Sequence, residues 1–224
     1  MSEENTPKLQ GRIAYEQIKS KILHMELLPG AHISEEALSR ELHISRTPIR
    51  DGLRMLEADG LVVIQKNKGA FVADYSQEEI KNIGTIRLAQ DILSAQLAIY
   101  YGNEADFARL NQLADRCEDS AASGNKFGRI QTDLDFHLAI TQISGNQILV
   151  QQQYAIYQRI LLVQVSKYTN VADSLAQIHH HRPMIAAIRN RDAAAAVSLI
   201  CQHVQDFYMI DPHILNYYRG TALS

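Results

Sequence analysis

Ser45-Arg46-Thr47-Pro48-Ile49-Arg50-Asp51-Gly52-Leu53-Arg54-Met55-Leu56-Glu57-Ala58-Asp59-Gly60-Leu61 reads as one short helix with two stripes. Ile49, Leu53 and Leu56 recur at helical spacing and can face a core. Arg46, Arg50 and Arg54 recur every four residues, about a quarter-turn away. Ser45 is a good N-cap, and Pro48 falls in the first turn, where the missing N–H costs little. The N-terminal residues of such a helix are those that a helix-turn-helix presents to the major groove. Three arginines in a row along a helix are equally the mark of a solvated face, so the neighbouring elements must decide.

Upstream, Ile13, Tyr15, Ile18, Ile22 and Met25 predict an amphipathic helix from Gly11 to about Leu27, stopped by Leu28-Pro29-Gly30. Residues 1–10 read as a disordered polar arm. Ser34 caps a second short helix with Glu35 and Glu36 in its first turn, running through Leu38 to Leu42, and His43-Ile44 turns the chain into the opening stretch. Downstream, Leu61–Ile64 and Ala70–Val72 flank a polar turn containing Gly69, which predicts a hairpin with Lys66 and Lys68 at its tip. Three helices and a hairpin in this order describe a winged helix-turn-helix over residues 11–73. Its partner is double-stranded DNA. Arg46, Thr47 and Arg50 face base edges, Arg54 contacts phosphate a turn deeper, and Lys66, Lys68 and Gly69 of the wing touch phosphate or the minor groove.

The 224 residues are 46% hydrophobic and 21% charged, an ordinary globular composition with room for two modest domains. No stretch approaches the roughly 20 apolar residues of a membrane span, and the polar start is no signal peptide. Cys117 and Cys201 lack metal-type spacing and read as reduced thiols, so a cytoplasmic location is expected. The net charge is −3, and the first 75 residues hold ten basic against eleven acidic side chains. DNA binding must therefore come from local clusters at 46–54 and 66–68.

After a linker at 74–77 only helical patterns remain, so the fold class is mainly α: the winged domain, then an antiparallel bundle of about six helices over 78–210. Ser76-Gln77-Glu78-Glu79 is a capping box opening a helix to about Gly102. Asn103 caps a second helix ending at Ser123-Gly124, and a third spans about Asn125 to Ile143. A fourth runs from Asn146 to about Tyr168, apolar on more than one face as a centrally buried helix would be. Asp173-Ser174 caps a fifth, Asp192 a sixth that Asp211-Pro212 ends, and residues 211–224 read as a tail.

This half carries a candidate metal site. Asp133 and His137, four apart, share one helix face, while His181 and His203 lie on the fifth and sixth helices. One carboxylate and three imidazoles suit a divalent ion, although histidines at a surface would show the same spacing. Asp135 would face away from His137. His180 competes with His181 as the ligand, and a kink at Pro183 would shift that choice. Arg87 lies mid-helix beside Ile83, Ile86 and Leu88, where its guanidinium either snorkels to solvent or clamps a carboxylate.

Residues 11–73 resemble the DNA-binding domain of the GntR family of bacterial transcription regulators. Pro29-Gly30, Ser34-Glu35-Glu36-Ala37-Leu38, Ser45-Arg46-Thr47-Pro48-Ile49-Arg50, Leu53, Leu56, Gly60-Leu61 and Lys68-Gly69-Ala70-Phe71-Val72 carry the likeness. Gly52 departs from the pattern, at a cost of roughly 1 kcal/mol in helix propensity. Residues 78–205 resemble the FCD ligand-binding domain of the FadR subfamily, through Asp133-x-x-x-His137, Ser144-Gly145-Asn146, His181-Arg182, the run Ala187–Asp192 and His203. The resemblance implies a divalent metal on Asp133, His137, His181 and His203, zinc first, with nickel or manganese as alternatives. It also implies a small organic acid effector bound through Arg87. The expected function is a ligand-responsive regulator, preferably a repressor, acting as a homodimer on a pseudo-palindromic operator. The alternatives are a regulator that answers to the metal with no organic effector, or a metal-dependent hydrolase. The second is disfavoured because no general base is evidently placed.

Overall fold

The structure is a computed structural model and describes residues 5–167 and 179–221. It divides into two compact units, the first built on the first 75 residues together with Leu161–Lys167, the second on the rest.

The first unit contains α1 (Asn5–Leu23), β1 (His32–Ile33), α2 (Glu35–Leu42), α3 (Arg46–Ala58), β2 (Val62–Gln65) and β3 (Gly69–Val72). Helix α1 starts earlier than expected, so residues 5–10 are helical rather than a disordered arm; residues 1–4 lie outside the described residues. Pro7 sits in its first turn, a tolerated place, and Gly11 lies against Asp51 of α3. The helix also ends earlier, at Leu23. Met25 adopts the left-handed conformation, and the N–H groups of Glu26 and Leu27 both donate back to the Lys21 carbonyl. Helices α1 and α3 pack against each other, with Ala14, Ile18 and Ile22 on one and Ile49, Leu53 and Leu56 on the other fully buried. Ser34 caps α2 through the Ala37 N–H, whereas Ser45 holds the N-cap position of α3 without a side-chain bond. The wing is larger than a hairpin. β1 pairs antiparallel with β3, His32 opposite Phe71, giving a three-stranded sheet in the order β1-β3-β2. Two residues are too short a run to carry a readable strand signal.

Among the described residues the second unit is all helix: α4 (Gln77–Tyr101), α5 (Glu104–Ala122), α6 (Lys126–Ile143), α7 (Gln147–Lys167, its end counted with the first unit), α8 (His181–Arg189), α9 (Ala193–Tyr208) and α10 (Pro212–Thr221). The capping box of Ser76 and Glu79 is formed, and Asn103 with Asp106 forms another that opens α5. Gln77, expected in the linker, is already helical. The expected cap at Asp173-Ser174 lies outside the described residues. Within them α8 begins at His181, which puts Pro183 in a first turn where it forces no kink. The expected tail is a helix over Pro212–Thr221. Asp211 accepts from the His213 N–H and Pro212 fills the first helical position, so the pair that reads as a stop for α9 is also a start for α10. α4 packs against α9, α6 and α8, and α5 against α6 and α8.

Candidate metal centre and nucleic-acid interface

On the first unit, Arg46, Thr47, Arg50 and Arg54 are all exposed on α3, and Lys66, Lys68 and Gly69 are exposed at the wing tip. A shallow groove between helix and wing is lined by Glu35, Arg50, Arg54, Ile64 and Gly69, so the two predicted DNA-facing elements share one surface. Asn67 and Gly69 both take positive φ at the wing turn, and a Cβ on Gly69 would come 2.9 Å from His32 Nε2. Two partners were not anticipated. Arg50 Nε donates to Glu35 at 2.8 Å, and an Arg46 amine lies 3.3 Å from Glu36. The acids that favour the start of α2 therefore also hold the two arginines proposed to read bases.

In the second unit, Asp133 and His137 of α6, His181 of α8 and His203 of α9 come together. All four are buried, and one ligand atom from each lies within 4.8 Å of the others. His181 Nε2 stands 3.0 Å and His203 Nε2 3.3 Å from Asp133 Oδ1, and the Nε2 atoms of His137 and His203 are 3.0 Å apart. Tetrahedral zinc, with bonds of about 2.0–2.1 Å, holds its donors roughly 3.3 Å from one another; the donor types suit such an ion and these three distances match its spacing, while the set as a whole spreads to 4.8 Å. His181 stacks on Phe136 at 4.2 Å between ring centroids, while His180 is only half-buried. Asp135, as expected, is turned from the cluster and accepts from Gln131.

Burial pushes His203 down to about 4 against the pull of Asp133, and burial with His203 and Arg87 holds His137 well below the ordinary imidazole range. Both are thus neutral near neutral pH, the form in which imidazole binds metal. Burial alone would raise Asp133, but His203, His181 and His137 hold it well below the usual carboxylate range, so it remains an anion.

Arg87 does not snorkel. Its side chain is 1% exposed and reaches Asp91 at 3.2 Å, the Tyr208 hydroxyl at 3.2 Å and Asp133 at 3.4 Å. Gly84, one turn earlier, makes this possible, because a Cβ there would overlap the Tyr208 side chain. Asp91, Gln153 and Tyr157 were missed by sequence reasoning. Asp91 stands four residues after Arg87, and that pairing of opposite charges on one helix face was the available signal. Gln153 and Tyr157 lie in an apolar helix and carried none.

Residues 11–72 match the family described as bacterial regulatory proteins, gntR family, and residues 83–206 match the FCD domain. The chain is 24% identical over 190 residues to the uncharacterized HTH-type transcriptional regulator YdhC of Bacillus subtilis (strain 168), covering 84% of this chain and 85% of that one. It is 23% identical to the HTH-type transcriptional repressor RspR of Escherichia coli (strain K12), over 86% of this chain and 84% of that one. Its fold is similar to that of E. coli McbR/YncC, with a TM-score of 0.77 at 19% identity, covering 93% of this chain and 98% of that chain. These relatives are named as transcription regulators, and the hydrolase alternative finds no support among them. Among the described residues no helix is long and apolar enough to cross a membrane.

Proposed function

Since the chain belongs to the GntR family of bacterial regulatory proteins and is a DNA-binding transcription regulator with an FCD domain, we propose that a divalent metal and a small carboxylate together control its hold on DNA. The observation that carries this reading is the buried set of Asp133, His137, His181 and His203 with the Arg87 guanidinium against it. Those four side chains would hold the ion, zinc first with nickel or manganese as alternatives, and the ion would supply a Lewis-acidic anchor for an anion. Arg87 supplies donors in a planar fork suited to a carboxylate. The protein acts as a repressor and as a homodimer on a pseudo-palindromic operator, with Arg46, Thr47 and Arg50 at base edges and Arg54, Lys66, Lys68 and Gly69 on the backbone or minor groove. The acid relieves repression because it binds the DNA-free arrangement better; without such a preference it would shift nothing.

The full chain is used to select duplexes from a random library, and the selected operator is then titrated by fluorescence anisotropy. Titrations run first in chelator, then with zinc, then with zinc and a panel of small monocarboxylic acids. The expected result is an operator affinity lowered roughly 5–150-fold by one of the acids, in the zinc-loaded protein only. Acids that occupy the zinc-loaded protein without moving operator affinity would overturn the effector reading. A response to zinc alone would favour the metal-responsive alternative.

A further inference from the structure

The second buried carboxylate, Asp91, belongs to no ligand set described above. Its side chain is 1% exposed. Three neutral or cationic donors converge on it: Arg87 Nε at 3.2 Å, the Tyr157 hydroxyl at 2.7 Å and Gln153 Nε2. Its Oδ2 also lies 3.5 Å from His137 Nδ1, on the far side of that ring from the Nε2 that faces His203. Gln153 is held in turn: its carbonyl oxygen accepts from Ser94, and the Thr141 hydroxyl lies within reach of both that oxygen and the His137 carbonyl one turn earlier on α6, donating its one proton to either. The carboxylate is thus fixed from α4 and α7, and the same network closes onto the backbone of the ligand it faces.

We propose that Asp91 is a positioning residue of the metal centre: it sets the tautomer of His137 and screens the ligand Asp133 from Arg87. An ionised carboxylate only accepts hydrogen bonds, so the ring nitrogen facing it carries the proton and Nε2 presents its lone pair to the centre. Asp91 also shares Arg87 with Asp133. Removing its charge leaves the buried guanidinium with Asp133 as its one carboxylate partner, held through Oδ2, where it competes with a cation for the same carboxylate. Asp91 further cancels the charge of Arg87, so a divalent ion beside one Asp133 carboxylate leaves a single net positive charge. The centre then suits a monoanion rather than a dianion. This inference rests on the metal reading above for its affinity consequence, and on geometry alone for the tautomer.

The test uses the full chain, wild type and the Asp91→Asn and Asp91→Glu variants. Zinc affinity is measured by competition with a chromogenic chelator. Imidazole ¹⁵N spectra of the metal-free protein are assigned by comparison with a His137→Gln sample. Expected are a proton on His137 Nδ1 in the wild type, zinc binding weakened about 10–100-fold in D91N, and recovery of most of that loss in D91E. Wild-type zinc affinity in D91N, or a wild-type His137 protonated on Nε2, would overturn the proposal; the second needs no variant to fold. A wild-type protein that takes up no zinc overturns the metal reading instead, and the tautomer still decides the role of Asp91.

Discussion

Gly52 shows how a residue can carry opposite signs in propensity and in packing. Within a helix glycine costs roughly 1 kcal/mol relative to alanine, so an isolated α3 would gain from Gly52→Ala. In the folded unit, however, a Cβ at this position would lie 2.8 Å from the Tyr15 backbone nitrogen and 3.1 Å from Ala14. The obstacle is helix backbone, which cannot rotate away. G52A is therefore expected to destabilise the protein by about 1–3 kcal/mol, read as a lower midpoint in urea denaturation. A midpoint at or above wild type would show that α1 shifts at little cost. Arg87 teaches a parallel lesson: a charge in an apolar stretch was open to two readings, and its burial beside Asp91, Asp133 and Tyr208 removes the one in which it snorkels to solvent.

At the scale of the element, α3 keeps both stripes that its spacing announced, Ile49, Leu53 and Leu56 buried and the arginines exposed. The new feature is that Arg46 and Arg50 are engaged by Glu36 and Glu35 of α2. These pairs are exposed, so each is worth little, and DNA can displace them. Arg46→Ala and Arg50→Ala are each expected to cost about 1–3 kcal/mol of operator affinity and to relax base preference at one position. Anisotropy titrations on matched and singly mismatched operators measure both quantities; unchanged affinity in both variants would remove α3 from the interface. The boundaries of elements were less legible than their existence. Polar composition hid the start of α1, a two-residue strand hid β1, and Asp211-Pro212 read as an end although it also begins α10.

For the whole molecule, the outward side of α4 is the feature with the widest consequence. Ile86, Leu93 and Tyr100, spaced by sevens, are 50%, 44% and 72% exposed. An apolar row of that kind is unusual beside solvent and self-complementary under a two-fold axis, as the proposed homodimer on a pseudo-palindrome requires. Leu93→Glu is accordingly expected to give a monomer in sedimentation equilibrium, with operator affinity reduced on the order of 10²-fold as the second half-site is lost. The zinc binding proposed for the cluster on the opposite side of α4 should persist. A dimeric variant with normal operator affinity would place the interface elsewhere.

Local periodicity and turn chemistry by themselves determined the order of helices up to α9, the hairpin of the wing and the change to a helical second half, because these depend on residues close together in sequence. The same spacing put Asp133 and His137 on one face. Tertiary structure alone decided which histidine joins them, that Arg87 turns inward, and that Asp91, Gln153 and Tyr157 form the layer behind His137. Those contacts join α4, α6, α7, α8 and α9 across dozens of residues, and no local pattern encodes which faces of distant helices meet. Only their packing does, where each buried polar atom must find its partner.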